Sequence, residues 1–181
     1  MTLKTQHWTA ILLGVSAVSL SVLVPGGPIE TRSFAHINPA TLGVFNTFLT
    51  ILGPGSLLLI YFVWKSERWA LWASAFCGLS FLGVYGLDLA EIFPVSPDAM
   101  PPALFAIEVW GTVLAFPLMA ISLQALKEIS PTAIAATSPG NANTLQLNAL
   151  SARWSQVIAM AGLGLVGLGI IAFATRSAMG L

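Results

Sequence analysis

The sequence predicts an all-α, polytopic membrane protein: one domain, five transmembrane helices, the N-terminus cytoplasmic and the C-terminus outside. Three observations carry this. Hydrophobic residues make up 56% of the chain and charged residues only 8%, where soluble domains carry about 25% charged residues. The apolar residues gather into five runs, each close to the roughly 17–25 residues that cross a hydrocarbon core as a helix. Lysine and arginine then divide unequally between the connections. A chain so composed cannot hide its apolar surface in a water-soluble globule, so the bilayer is its solvent and first partner. Seven basic and seven acidic residues balance to zero net charge, which leaves no nucleic-acid footprint. Cys77 stands alone, so no internal disulfide and no thiolate metal site can form.

The first span covers Trp8–Val24. It follows Lys4 as a secretory signal would. Its apolar run is long for a signal, however, and Ala17-Val18-Ser19 is a poor cleavage site inside that run, so it is expected to be retained. The second span, Leu42–Trp64, and the third, Trp69–Leu89, are joined by "KSER" (Lys65–Arg68), a turn so tight that the two must be antiparallel neighbours. The fourth is Leu104–Leu126 and the fifth Trp154–Ala174. Between these last two, Glu128–Arg153 reads as a flexible cytoplasmic loop of small polar residues. Lys4, Lys65, Arg68, Lys127 and Arg153 all fall on the N-terminal side, and only Arg32 and Arg176 on the other, which sets the orientation. Trp8, Trp64, Trp69, Trp72 and Trp154 lie at or near the inner ends, where indole rings favour the headgroup level. The outer connections, "PGGPIETRSFAHINPA" and "EIFPVSPDAMPP", are stiffened by proline and read as ordered caps.

Ala70, Ser74 and Gly78 recur every four residues along the third span, a small-residue face that lets another helix approach closely. Pro54 and Pro117 lie near mid-span, each fifteen residues after a Pro-Ala pair that opens its run, which gives a faint parallel repeat. Each removes a helix hydrogen bond, so kinks are expected in the second and fourth helices. At "GPGS" (Gly53–Ser56) the second helix could break outright and expose carbonyls to an ion. The plainer alternative is a proline kink satisfied by neighbouring groups.

Val84–Gly111 carries the functional signal. It holds Asp88, Glu91, Asp98 and Glu108, four of the seven acidic residues. The topology brings them to the outer face together with Glu30, Arg32 and His36. Asp88 and Glu91 are three residues apart and share a helix face, with Tyr85 a turn earlier. Glu108 lies about 7.5 Å inside the fourth span at 1.5 Å per residue, among the apolar residues of "FAIEVWG". A carboxylate at the bilayer centre costs on the order of 3 kcal/mol. Glu108 must therefore be protonated, or paired with Arg32 or protonated His36.

Two readings follow. Arg32 and Glu108 could form a structural pair that locks the outer loop over the bundle. Alternatively the cluster is an outward-facing site for a proton, a cation or a cationic small molecule. Glu108 would then be its centre, Asp88 and Glu91 its rim, Glu30 and Arg32 its neighbours, and His36 the group that tunes its charge. The second reading is the expected function. No metal is expected, because His7 and His36 lie on opposite sides and no HxxxH or ExxH spacing occurs. No cofactor is implied either, since the chain has no GxSxG, HExxH, Walker loop or dinucleotide fingerprint. Two other classes fit the same residues. One is a non-catalytic accessory or assembly subunit of a larger membrane complex. The other is an acid–base, lipid-modifying enzyme using Glu108, Asp88 and His36. Five helices enclose a narrow cavity at most, so transport would call for a homo-oligomer or a larger complex.

Overall fold

The computed structural model of the chain describes residues 4–129 and 168–180. Four helices come first: α1 (Thr5–Ser21), α2 (Pro39–Trp64), α3 (Arg68–Leu89) and α4 (Pro102–Glu128). A shorter apolar helix, α5, covers Leu168–Ala178. There is no strand among the described residues. Helices α2, α3 and α4 are each long and apolar enough to cross a membrane; they contain the expected second, third and fourth spans. Helix α1 has 17 residues, the lower edge of the roughly 17–25 that spanning requires. Residues 154–167 of the expected fifth span, and residues 130–153 of the loop expected before them, lie outside the described residues.

The helix boundaries have local causes. The Asn38 side chain accepts the Ala40 N–H at 2.8 Å, and Pro39 takes the first helical position, where its missing N–H is no loss. Pro102 opens α4 in the same way. Helix α3 stops because Glu91 takes φ 52° and Ile92 donates its N–H back to the Leu87 carbonyl at 2.9 Å, a left-handed C-terminal cap.

Helices α1 to α4 form a ring in chain order. Each packs on its neighbours, and α1 and α3 also touch across the middle, whereas α2 and α4 do not meet. The distribution of residues reverses that of a soluble protein. Val44, Ile51, Phe76, Leu79, Val113 and Phe116 face outward, while Thr9, Ser16, Asn46, Ser56, Ser74 and Ser122 are buried. The Ser74 and Ser122 hydroxyls donate to the carbonyls of Ala70 and Leu118, four residues back, at 2.8 and 2.6 Å, so they need no outside partner. This arrangement suits a lipid environment, which offers no hydrogen bonds to exposed polar groups and no penalty to exposed apolar ones.

Ala70, Ser74 and Gly78 are all buried. A Cβ on Gly78 would lie 2.6 Å from Met119 Cγ and 3.3 Å from the Ala115 carbonyl oxygen, so the small face lets α4 come within contact of α3. Ser74→Leu is expected to force this contact apart and destabilise the fold by about 1–3 kcal/mol. The drop would appear as a lower melting temperature in detergent. Phe76→Leu, at a side chain 67% exposed, should change little, and equal tolerance at the two positions would contradict the packing.

The outright break considered at "GPGS" is not there. Helix α2 runs unbroken through Pro54. One missing N–H is a small loss beside opening a helix in apolar surroundings, where each unsatisfied backbone group costs several kcal/mol.

Candidate functional site

Both connections at one end of the bundle, residues 22–38 and 90–101, fold over it and against each other. The Ser33 N–H donates to Asp98 at 2.8 Å, and the Ser96 hydroxyl donates to the Ser33 carbonyl at 3.0 Å. Phe34 donates its N–H to the Ala178 carbonyl at 2.9 Å and buries its ring with Leu42 and Ala178. Gly26 takes φ +80°, and a Cβ there would overlap the Ser177 side chain. Only glycine fits that crossing over α5.

This loop carries Arg32 into the interior. Its guanidinium donates twice to Asp88, from Nη1 at 3.0 Å and Nη2 at 2.7 Å, and twice to Glu30, from Nε at 3.0 Å and Nη2 at 2.7 Å. The Arg32 backbone N–H adds a bond to Glu30 at 3.1 Å, and the Phe34 ring centroid lies 5.3 Å from the guanidinium carbon. Burial by itself would lower the guanidinium's pKa. The hydrogen bonds to Glu30 and Asp88 outweigh it and hold the group above its ordinary value, fully charged. Two carboxylates in fork geometry are what a planar five-donor group can satisfy and a lysine cannot.

Glu108 is left out of that arrangement. It is 2% exposed, its carboxyl lies beside that of Asp88, and its Oε2 has no hydrogen-bond partner. The Arg32–Glu108 pair weighed as one reading is therefore not formed. Glu30 lies two residues from Arg32 and Asp88 closes the last turn of α3, and together they occupy the guanidinium. Tyr85, one turn before Asp88, is 1% exposed, and its hydroxyl also lacks a partner. Its ring packs on Gly111, where a Cβ would overlap it. Gly111→Ala is expected to displace the ring and lower stability by about 1–3 kcal/mol, measured by thermal unfolding. An unchanged melting temperature would show that the ring has room to move.

The other proposed site residues lie elsewhere. Glu91 is exposed and beyond the end of α3, because the left-handed cap turns it off the Asp88 face. His36 is exposed and has no place in the cluster. Asp98 ties the two loops together and is exposed as well.

Glu30, Asp88, Tyr85 and Glu108 line a cavity of about 470 Å³. The remaining walls are largely apolar, from the ends of α1 and α3, from α5, and from one stripe of α2: Leu42, Phe45, Asn46, Leu49, Thr50 and Gly53. The cavity exists because α1 is short. Thr5 donates to Glu128 at 2.7 Å and Gln6 to the Trp64 carbonyl at 3.4 Å, so α1, α2 and α4 share one floor. Helix α1 then ends at Ser21, where Leu20 lies beside Gly53, well below the acidic cluster. Asn46 is a site residue that composition did not single out. Its amide donates to Thr175 Oγ1 at 3.1 Å, and a lone amide inside an apolar run was the available signal. Among the described residues no group of His, Cys, Asp and Glu side chains is placed to hold a metal ion.

Residues 5–143 match the family described as Domain of unknown function (DUF8051). No curated protein and no solved structure matches the chain.

Proposed function

The chain belongs to this family of unknown function, and we propose that it is a multi-pass membrane protein whose cavity binds a cation or cationic small molecule against Glu108. One observation carries the reading. Glu108 is buried, borders the cavity and has an unpartnered oxygen, while the nearby positive charge of Arg32 is already committed to Glu30 and Asp88. Three carboxyls stand close together, and the one guanidinium binds only Glu30 and Asp88. Neighbouring carboxylates repel, and a bound cation or proton relieves that repulsion. An apolar cavity with a few convergent polar groups is the usual form of a small-molecule site.

In this reading five helices cross the bilayer, kinked at Pro54 and Pro117, with the cavity toward the outer face. The exposed rings of Trp8, Trp64, Trp69 and Trp72 lie toward the opposite end, as an inner headgroup belt would. Cysteines placed at Val95 and Glu67, both exposed, in a Cys77→Ala background test the orientation. Impermeant maleimide should label Val95→Cys on intact cells and Glu67→Cys only after lysis. The reverse pattern would invert the topology. The binding reading is tested in nanodiscs at fixed ionic strength by titrating methylammonium, guanidinium and sodium ions. At least one should raise the melting temperature of the wild type and leave Glu108→Gln unmoved. Equal behaviour of the two proteins toward all three would remove the reading.

A further inference from the structure

We infer that the ligand is an amphiphilic primary amine, its ammonium held by Glu108 and Tyr85 and its hydrocarbon tail laid along α2 toward Gly53. This deepens the cation-binding reading and rests on it. The first support is where the cavity's polar needs lie. Thr50 Oγ1 donates to the Asn46 carbonyl, Asn46 to Thr175, and Ser21 Oγ to the Ala17 carbonyl. Those polar linings are satisfied within the protein and ask nothing of a ligand. Among the described lining residues, only Glu108 Oε2 and the Tyr85 hydroxyl are buried without a partner. A primary ammonium carries three N–H donors and can serve both, whereas a quaternary one has none to give.

The second support is length. Asp88 stands 20 residues beyond Arg68, and Glu108 stands 20 residues before Glu128, so both lie about 30 Å above the floor at 1.5 Å per residue. Gly53 is eleven residues before Trp64, about 16 Å above the same floor. The polar end and the Gly53 end are thus separated by about 14 Å, and the lining between them is mostly apolar. A compact cation would leave most of that space unfilled. An alkyl tail fills it, entering from the bilayer where such amphiphiles concentrate. The ammonium could belong to a free long-chain amine or to the ethanolamine headgroup of a lipid, since the chemistry recognised is the same.

The test uses the full chain in phosphatidylcholine nanodiscs and a dodecylamine carrying a diazirine at the tail end. After irradiation, labels should map to Leu49, Thr50 and Leu20. Excess dodecylamine should suppress them at least tenfold, excess dodecanol should not, and Glu108→Gln should lose them. Thr50→Phe, which fills the tail region, should lose them while methylammonium still raises its melting temperature. Repeating the experiment with phosphatidylethanolamine in the disc identifies the source. Suppressed labelling means the headgroup is the occupant, and unchanged labelling means a free amine is; both keep the inference. Saturable, Glu108-dependent labelling confined to Val44 and Ile51 on the lipid side would overturn the tail placement and leave the cation site standing. Labelling that dodecanol suppresses equally, or that Glu108→Gln leaves intact, would overturn the amine. If in addition none of the three ions stabilises the wild type, the underlying reading falls with it.

Discussion

Replacing Arg32 with glutamine is expected to destabilise the fold by about 3–5 kcal/mol, the usual range when one partner of a buried ion pair is removed. The magnitude follows from what is left behind. Glu30 is 4% exposed and Asp88 8% exposed, and both lose their guanidinium bonds while Glu108 remains beside Asp88. The loop from residue 22 to 38 also loses its main polar anchor, so the cover over the cavity should loosen. Arg32→Lys keeps the charge but cannot hold two carboxylates in fork geometry, and an intermediate loss is expected. Removing one orphaned charge should return part of the stability, so Arg32→Gln/Asp88→Asn is expected to melt above Arg32→Gln alone. Thermal unfolding of the wild type, the two Arg32 variants, Asp88→Asn and the double mutant in one detergent measures this. A double mutant as unstable as the sum of its parts would mean that the ion cluster is not a coupled unit.

Replacing Glu108 with glutamine is expected to do the opposite to stability and more to function. The amide has nearly the same shape and brings an N–H₂ donor toward the oxygens of Asp88. Melting should be unchanged or higher. Binding of the cation should fall more than tenfold, since truncating one partner of a buried charge pair costs about 2–5 kcal/mol. The sign of the stability change separates the two roles first weighed for this residue. A structural pair with Arg32 would make Glu108→Gln lose stability as Arg32→Gln does. A ligand site gives the opposite. Measured side by side, a destabilised Glu108→Gln that still binds the cation normally would end the site reading.

How much of this was legible in the residues themselves differs from element to element. The second, third and fourth apolar runs became α2, α3 and α4 because a backbone in hydrocarbon must satisfy its hydrogen bonds within the segment. A run of that length then has little alternative to a helix. The small face at Ala70, Ser74 and Gly78 was equally visible, since its spacing is fixed by the helix period and its purpose by the missing side-chain volume. The presence of scarce carboxylates in one hairpin was a matter of composition alone, and it pointed to the end of the bundle where Glu30, Asp88 and Glu108 line the cavity.

Partnership was not legible. Arg32 had several carboxylates within reach of the same face, and spacing cannot rank them. Tertiary structure chose Glu30 and Asp88, because the path of the loop delivers a fork-shaped group between them, and thereby left Glu108 without that cation. The face shared by Asp88 and Glu91 dissolved for a local reason with a long reach: the helix ends at Leu89 and Glu91 itself turns left-handed, and helical spacing has no meaning beyond a cap. The cavity was furthest from view. It depends on α1 ending at Ser21 while α2 continues past it, a difference of height between elements. Residue patterns fix what each helix is, because periodicity and burial act within one segment. Depth, partner and empty space belong to how several segments meet.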